Sequence, residues 1–281
     1  MSPAKQPLAS KKIGDIEIIA LSDGLLPASS ASAVGVDQTE AARLTGIPEG
    51  GVVTIPVNAF LMKFHGKLAL VDTGSSDTQG PTLGFLIPRL QEIGVEPDMI
   101  DHIFITHCHP DHTNGLLSPA GEVNYPNAEI IMHEREANFW LERQSAESDH
   151  ERLKRGTAAA RRTVLPYRER LRKVKDGEVM NGISAISSNG HTPGHTAWLV
   201  HSGRDNLIFW GDTVHIAALQ VPRPDVVMVY DLDQDAARKS RMSMFERVIA
   251  DDIAVAGAHL DYPGFVRMVR RGAGYHMEAD T

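Results

Sequence analysis

The segment His-Cys-His-Pro-Asp-His at residues 107–112 constrains this chain more than any other feature. It directly follows a short apolar stretch, which predicts a buried strand running into a histidine-rich loop. Side chains at positions i and i+2 of an extended segment project to the same side, so His107 and His109 can hold one cation together. Asp111 and His112 follow where the chain turns, and they can face a second position nearby. Imidazole and carboxylate groups suit zinc and similar divalent ions.

Four ligands in one segment cannot complete two metal sites, so further ligands must come from elsewhere in the chain. Histidine or aspartate stands directly after a predicted strand in three more segments: Gly190–His195, which contains His191 and His195, then Gly211-Asp212, and Ala258-His259. Loops at strand ends carry chemistry on a rigid scaffold. Each of these segments is weak evidence alone, but together with residues 107–112 they predict a metal centre.

The rest of the chain predicts strands in runs with helices between them. Apolar patterns bounded by turn residues predict strands at 12–21, 58–64, 68–71, 103–106, 128–132, 183–187, 197–201, 207–210 and 253–256. Helices are predicted at 88–93, 134–144, 150–173 with an interruption at Pro166, and 233–249. This order suits helices covering two packed sheets in one domain spanning residues 1–281.

Two segments near the N-terminus lack a regular pattern. We expect residues 1–12 to form a flexible lead-in before the first strand, which the turn residues Ser22-Asp23-Gly24 should close. Residues 25–51 are rich in Ala, Ser, Gly and Pro. A loop of that length in a compact domain is usually functional, so we expect a lid or loop there.

Composition narrows the classes of protein. The formal charge of −8 opposes general binding of nucleic acid. The single cysteine, Cys108, excludes an internal disulfide framework and is expected to be a buried, inert side chain. No apolar run approaches the roughly 18 residues that a membrane span requires, and the first residues lack the apolar stretch of a secretory signal. We therefore expect a soluble cytoplasmic protein that binds neither membrane nor nucleic acid.

The motifs occur in an order that resembles the metallo-β-lactamase superfamily. Val71-Asp72-Thr73-Gly74 precedes the 107–112 segment, and the resemblance extends from about Asn58 to His259. It implies an α/β (α+β) fold, an αββα sandwich of two mixed β-sheets flanked by helices, with a binuclear site between the sheet edges. It also implies that Asp72 supports the ligand loop. From the sequence alone, Asp72 is equally consistent with a turn residue.

The resemblance also implies how the ligands divide between two metals. One metal is assigned to His107, His109 and His191, the other to Asp111, His112 and His259, and Asp212 bridges both. We expect two divalent ions, with zinc first and iron, manganese or cobalt as alternatives. Relatives are often dimeric, so a homodimer is expected by analogy.

Residues 210–220 and 258–264 are similar to methyl parathion hydrolase and its lactonase relatives. The similarity implies a metal-dependent hydrolase in which a metal-bridging hydroxide opens a lactone or cleaves a carboxylic ester. Phosphotriester hydrolysis ranks below these activities, because an aromatic pocket for aryl phosphotriesters is not evident in a chain with 6% aromatic residues. The expected partner is a small-molecule ester or lactone.

Asp111 and His215 are the candidate catalytic residues. Asp111 could carry a proton to the leaving oxygen in addition to binding metal. His215 lies three residues after Asp212, where lactonases of the superfamily place an aromatic hydroxyl that touches the substrate carbonyl oxygen. A histidine there could donate the same hydrogen bond. His195 either supports the ligands or forms the polar end of its turn.

Other activities within the superfamily remain as alternatives. Subclass B1 β-lactamases carry a cysteine at the bridging position, where this chain has Asp212. A persulfide dioxygenase-like oxidoreductase with a single iron, a thioester hydrolase of the glyoxalase II type, and a metal-binding protein without catalysis stay open. Metal content, together with oxygen consumption in the presence of a persulfide, separates the first of these from a hydrolase.

Overall fold

The computed structural model describes residues 6–144, 150–272 and 274–280. Its strands are β1 Ala9–Ile13, β2 Ile16–Ser29, β3 Ala33–Val34, β4 Val52–Phe64, β5 Lys67–Val71, β6 His102–Phe104, β7 Glu129–His133, β8 Leu171–Val174, β9 Gly177–Met180, β10 Ile183–Ser187, β11 Thr196–Ser202, β12 Asp205–Phe209, β13 Val227–Met228, β14 Ala254–Ala256, β15 Phe265–Arg271 and β16 Gly274–Ala279. Its helices are α1 Gln38–Thr45, α2 Leu86–Glu92, α3 Pro110–Thr113, α4 Glu134–Ala137, α5 Glu151–Val164, α6 Ala217–Gln220 and α7 Gln234–Ala250.

The strands form two large sheets of mixed direction. The first has the order β1-β2-β4-β5-β6-β7-β8, and the second has the order β16-β15-β14-β12-β11-β10-β9. Strands β5 to β8 run parallel to one another, and β12 pairs in parallel with β14. The other pairs in these sheets are antiparallel, so the expectation of two mixed sheets is confirmed.

Side chains along the strands alternate between the two faces of each sheet, so that the sheets pack against each other and against helices in four layers. In β6, Ile103 packs outward in a core shared with α2, α4 and α5, whereas Phe104 points inward. The inner core joins the two sheets, and there the Phe104 and Trp198 rings lie 5.0 Å apart. On the far side, α7 packs Phe245 against the outer face of the second sheet. The fold is therefore the αββα sandwich that the motifs imply, because each sheet buries one face against its partner and the other against helices.

The N-terminal expectations were wrong in two respects. Residues 12–21 are not one strand but parts of the β1–β2 hairpin, which turns between Ile13 and Ile16, so residues 9–12 form a sheet edge rather than a flexible lead-in. Residues 1–5 of the expected lead-in lie outside the described residues. Strand β2 does not end at the predicted turn; the register shifts at Asp23 and pairing with β4 continues to Ser29. A bulge absorbs the turn-like residues because the partner strand continues past them.

Residues 25–51 do not form one long loop. They contain the end of β2, the short strand β3 and helix α1, which is capped by the Asp37 side chain and ends at Gly46 with φ 69°. Ala33 and Ala41 from this segment pack in a small apolar core with residues that follow Asp212, including Ile216 and Leu219. The segment is ordered because it buries apolar side chains of its own.

The C-terminal half also contains strands that the patterns did not predict. The predicted helix 150–173 ends at Val164, and after a 3₁₀ segment the chain enters β8 at the edge of the first sheet. Residues after His259 form the β15–β16 hairpin of the second sheet. Among the described residues, no helix combines the length and apolar character needed to cross a membrane.

Candidate metal centre and cavity

The predicted ligands meet at one edge of the sandwich. The 107–112 loop follows β6 of the first sheet, while His191 lies between β10 and β11, Asp212 follows β12, and His259 follows β14 of the second sheet. The two sheets therefore contribute loops to one place, and their side chains form two adjoining groups that could each hold a metal ion.

The first group consists of His107, His109, His191 and Asp212. The Nε2 atom of His191 lies 2.8 Å from His109 Nδ1 and 3.2 Å from His107 Nε2. The Oδ2 atom of Asp212 lies 3.2 Å from His191 Nε2 and 3.5 Å from His107 Nε2. Three ring nitrogens and one carboxylate oxygen thus surround one point, as in a tetrahedral zinc site.

The second group consists of Asp111, His112 and His259. Asp111 Oδ2 lies 3.6 Å from His112 Nε2 and 3.4 Å from His259 Nε2. The other oxygen of Asp212, Oδ1, lies 3.0 Å from His112 Nε2 and 3.2 Å from His259 Nε2. Asp212 therefore faces one group with each oxygen, which is the arrangement of a bridging carboxylate.

Hydrogen bonds at the Nδ1 atoms of three histidines orient their Nε2 lone pairs. Outward contacts join His112 Nδ1 to Asp72 Oδ2 at 2.8 Å, His191 Nδ1 to Asp231 Oδ1 at 2.8 Å, and His259 Nδ1 to the Pro56 carbonyl oxygen at 2.7 Å. With Nδ1 donating to these acceptors, each Nε2 lone pair points inward. Among the described residues, His112 Nε2 and Asp212 Oδ1 are buried with no hydrogen-bond partner. Two acceptors facing each other in this way fit a cation between them.

The charges of these groups depend on one another. Burial raises the pKa of Asp212, but the surrounding histidines, His112 first among them, outweigh burial and hold the pKa well below its usual range. Burial lowers the pKa of His191, but the bonds to Asp212 and Asp231 outweigh it and raise the pKa to about 9. At His191 the protein alone thus favours a proton where a cation would bind, so cation binding there releases a proton and strengthens as pH rises.

Asp72 and His195, both open to two interpretations from the sequence, contact the ligand loops. Asp72 has a left-handed φ of 60° and accepts from the backbone nitrogen and the hydroxyl of Thr106, each at 2.8 Å, in addition to its contact with His112. His195 Nε2 accepts from the backbone nitrogen of Asp212 at 2.9 Å, and its Nδ1 donates to the Ser188 carbonyl oxygen. Both side chains therefore fix the position of predicted ligands.

Glu136 is a positioning residue that the sequence analysis missed. Its side chain is fully buried, and its carboxylate accepts four hydrogen bonds: from the Cys108 backbone, the Trp140 indole, the Thr192 hydroxyl and the Gly194 backbone. It therefore ties the 107–112 loop to the turn that carries His191. No local pattern marks this role, because a glutamate at the start of a helix is ordinarily an exposed cap. Cys108 itself is buried in the outer core, as expected.

His215 lies beside both groups. Its Nε2 atom is 3.0 Å from Asp212 Oδ2, and its ring stacks 5.6 Å from the His259 ring. Burial lowers the pKa of His215, which keeps the imidazole neutral near pH 7. The Tyr230 ring lies 5.0 Å from His215, and within the described part of the chain its hydroxyl has no hydrogen-bond partner. No sequence pattern marks Tyr230, since the residue lies outside the strands and helices.

A cavity of about 590 Å³ opens above the two groups. Asp111, Asp212 and three of the histidines lie at its base, with His215 and Tyr230 beside them. Its sides come from the β2–β4 ribbon, from Trp140 and from α5, and they are mainly apolar. The side chains of Asp111 and Asp212 are 12% and 3% exposed, so the base of the cavity is largely shielded from solvent.

Comparison with known proteins agrees with this geometry. The sequence model of the metallo-beta-lactamase superfamily matches residues 52–256. The chain is 23% identical over 183 residues to the N-acyl homoserine lactonase AiiA of Bacillus thuringiensis subsp. kurstaki. That match covers 58% of this chain and 66% of AiiA, so the chain spans slightly less than two thirds of this relative.

Two solved structures superpose over nearly the whole chain. Hydrolase AbOPH, in the beta lactamase superfamily, matches with a TM-score of 0.92 and 28% identity over 99% of each chain. AidC, a dizinc quorum-quenching lactonase crystallised with a product, matches with a TM-score of 0.88 and 24% identity, over 98% of this chain and 97% of AidC. From the sequence model and the shared fold, the chain belongs to the metallo-β-lactamase superfamily.

Proposed function

We propose that this chain is a binuclear metal-dependent hydrolase that opens lactones or cleaves carboxylic esters, with phosphotriester hydrolysis as a lesser activity. The observation that carries the proposal is the position of Asp212, which turns one oxygen toward each of two His/Asp groups at the base of an apolar cavity. Two divalent cations bound there would activate water as a nucleophile at neutral pH and polarise the oxygen that becomes negative. Zinc is the first expectation, by analogy with the dizinc relative AidC.

Asp111 is better suited to ligation than to proton donation. Burial raises its pKa, but His112 and His259 outweigh burial and hold the pKa below the usual range of an aspartate. A carboxyl group that stays ionised at neutral pH can bind a metal but has no proton to donate. We therefore assign Asp111 first to the second metal, with any proton transfer secondary to that.

His215 and Tyr230 are the donors placed to meet the substrate. Both lie on the cavity wall next to Asp212, and burial raises the pKa of the Tyr230 phenol above its ordinary value, which keeps its proton in place. A neutral imidazole and a phenol can each donate a hydrogen bond to a carbonyl or leaving-group oxygen. Donors aimed at developing negative charge stabilise the transition state. We assign the carbonyl oxygen to His215 and the leaving oxygen to Tyr230.

The cavity walls favour an acyl group over an aryl phosphotriester. Leu26, Ile55 and Leu153 present aliphatic surface, and apart from histidine only Trp140 and Tyr230 among the lining residues are aromatic. The volume falls within the ~300–1,000 Å³ range of small-molecule sites. An aliphatic acyl chain would be desolvated against these side chains, which supports an ester or lactone substrate.

The test combines metal analysis with a substrate panel. The purified protein should contain two divalent ions per chain and should hydrolyse at least one lactone or aryl ester faster than every thioester and phosphotriester tested. Removal of the metal with a chelator should abolish turnover, and added zinc should restore it. One iron per chain with oxygen consumption in the presence of a persulfide would overturn the proposal. So would tightly held metal without turnover on any substrate.

A further inference from the structure

Helix α5 places two arginines at the cavity. Arg152 and Arg155 lie three residues apart, so both project from the same face of the helix and both line the cavity wall. Gly156 and Ala159 lie on the same face. A Cβ atom at residue 156 would come within 3.0 Å of the Trp140 ring, so glycine at this position lets the helix pack closely against Trp140, which also lines the cavity.

The two guanidinium groups differ from the other cations of this helix. Lys154 pairs with Glu151, and Arg161 donates to the Trp140 and Arg143 carbonyl oxygens. Arg152 donates to the Val229 carbonyl oxygen at 2.9 Å and makes no ion pair with the described residues. Arg155 makes neither a hydrogen bond nor an ion pair with any residue that the structure describes. At least one guanidinium at the cavity is therefore free to bind a ligand.

The walls of the cavity above its base carry a charge opposite to the net charge of the chain. The acidic residues among the lining are Asp111 and Asp212, and both belong to the candidate metal groups at the base. Above the base, the described lining carries two arginines and no acid, although the chain has a net charge of −8. No carboxylate of the described upper lining neutralises these arginines. The positive potential is therefore available to attract an anionic group of a ligand.

We propose that the substrate carries a carboxylate at the end of its acyl chain remote from the scissile ester, and that Arg155, assisted by Arg152, binds that carboxylate. The inference rests on the proposed ester or lactone hydrolysis and names its substrate class. The aliphatic part of the acyl chain would lie between the base of the cavity and α5. The guanidinium of Arg155 would donate a charge-assisted hydrogen bond to the carboxylate. The substrate class is thus a monoester of a dicarboxylic acid or a lactone of a hydroxy dicarboxylic acid.

The kinetic test uses pairs of substrates that differ only in this carboxylate. Mono-aryl esters of succinic, adipic and suberic acid are compared with aryl esters of the neutral acids of equal chain length. We expect kcat/KM to favour the charged member at one chain length, and the preference to shrink when salt is raised, since salt screens exposed charges. Arg155→Gln should reduce the charged-to-neutral ratio about fivefold, mainly through KM, and the double variant with Arg152→Gln about tenfold or more.

Arg204→Gln is the matched control, because Arg204 is an exposed arginine in the β11–β12 turn, at the end of those strands opposite the metal groups. It removes the same charge and should leave the ratio unchanged. A second measurement uses the anilides of adipic and hexanoic acid, and calorimetry should give tighter binding of the charged anilide, lost in Arg155→Gln.

The outcomes separate the two proposals. Turnover of neutral esters with no preference for any charged partner, or an equal change in Arg155→Gln and Arg204→Gln, would overturn the carboxylate site alone. An absence of turnover on every ester would overturn the proposed function, while the anilide titration would still report on the arginines.

Discussion

The base of the cavity is held by hydrogen bonds between buried polar side chains, whereas its sides consist mainly of apolar groups with few polar contacts. At the base, most polar side chains are buried, and His112, His191 and His259 are each anchored through Nδ1. The sides are made of aliphatic groups, one indole and two arginines, and Arg155 has no partner among the described residues. A base with fixed geometry determines the reaction, whereas sides with few polar constraints can vary and so select the substrate.

The largest effect is expected when a predicted metal-binding side chain is removed from the base of the cavity. We expect His109→Ala to lose bound metal and to lower kcat/KM at least about a thousandfold, because the metal supplies several kcal/mol of transition-state stabilisation. Elemental analysis and ester kinetics on the same preparation measure both effects. Full turnover by a variant that has lost its metal would show that the base does not carry the chemistry.

Glu136, which supports the loops at the base of the cavity, should give the next largest effect when it is replaced. Glu136→Gln places an amide nitrogen among four donors, so we expect a loss of about 2–3 kcal/mol in unfolding free energy. Denaturant unfolding measures it. Glu142→Gln is the control, since the Glu142 side chain is exposed and, among the described residues, pairs with Lys173. It should change stability by less than about 0.5 kcal/mol. Equal stability of the two variants would contradict the role given to Glu136.

His215 lies at the boundary between the base and the sides. His215→Ala should lower kcat by one to two orders of magnitude, roughly 1–3 kcal/mol, while both metals stay bound. Metal content measured beside kcat distinguishes the two regions. Loss of metal would place His215 in the base, and unchanged kinetics would remove it from the mechanism.

Filling the side of the cavity should give the smallest and most selective effect. Ala159→Leu adds apolar volume on the α5 face that lines the cavity. We expect kcat/KM for long-chain esters to fall roughly fivefold, about 1 kcal/mol, with little change for acetate esters and with metal content intact. A profile of rate against acyl length measures this. An equal loss at every length would mean that the base had been disturbed.

Local sequence was sufficient for most of the base. The 107–112 segment was selected because alternate residues of an extended segment project to the same side. The histidines and aspartate at strand ends were weak signals alone, and the family resemblance supplied their assignment to the two metals. The structure brings all seven predicted ligands together. Their roles in binding metal stay predictions until metal is measured.

The strand pairings and the contacts between loops around the site could not be predicted in this way. Strand β2 continues past the turn-like residues at Asp23 because β4, some thirty residues away along the chain, pairs with it. Strand β8 follows a charged helix, and its place at the sheet edge depends on β7. Such pairings depend on contacts distant in sequence, which override local preference. Glu136 and Asp231 were missed for the same reason, since their importance lies in partners from other loops.

The carboxylate of Glu136 also has a consequence for ion selection. It joins the loop of one sheet to the turn of the other with hydrogen bonds of 2.7–3.0 Å, so the protein itself sets the gap between them. An ion that binds between the two loops therefore finds ligands at a fixed spacing and does not pull the loops to its own preferred bond lengths. Ionic radius should therefore discriminate among the divalent metals of the cell more sharply than it would in a flexible chelator.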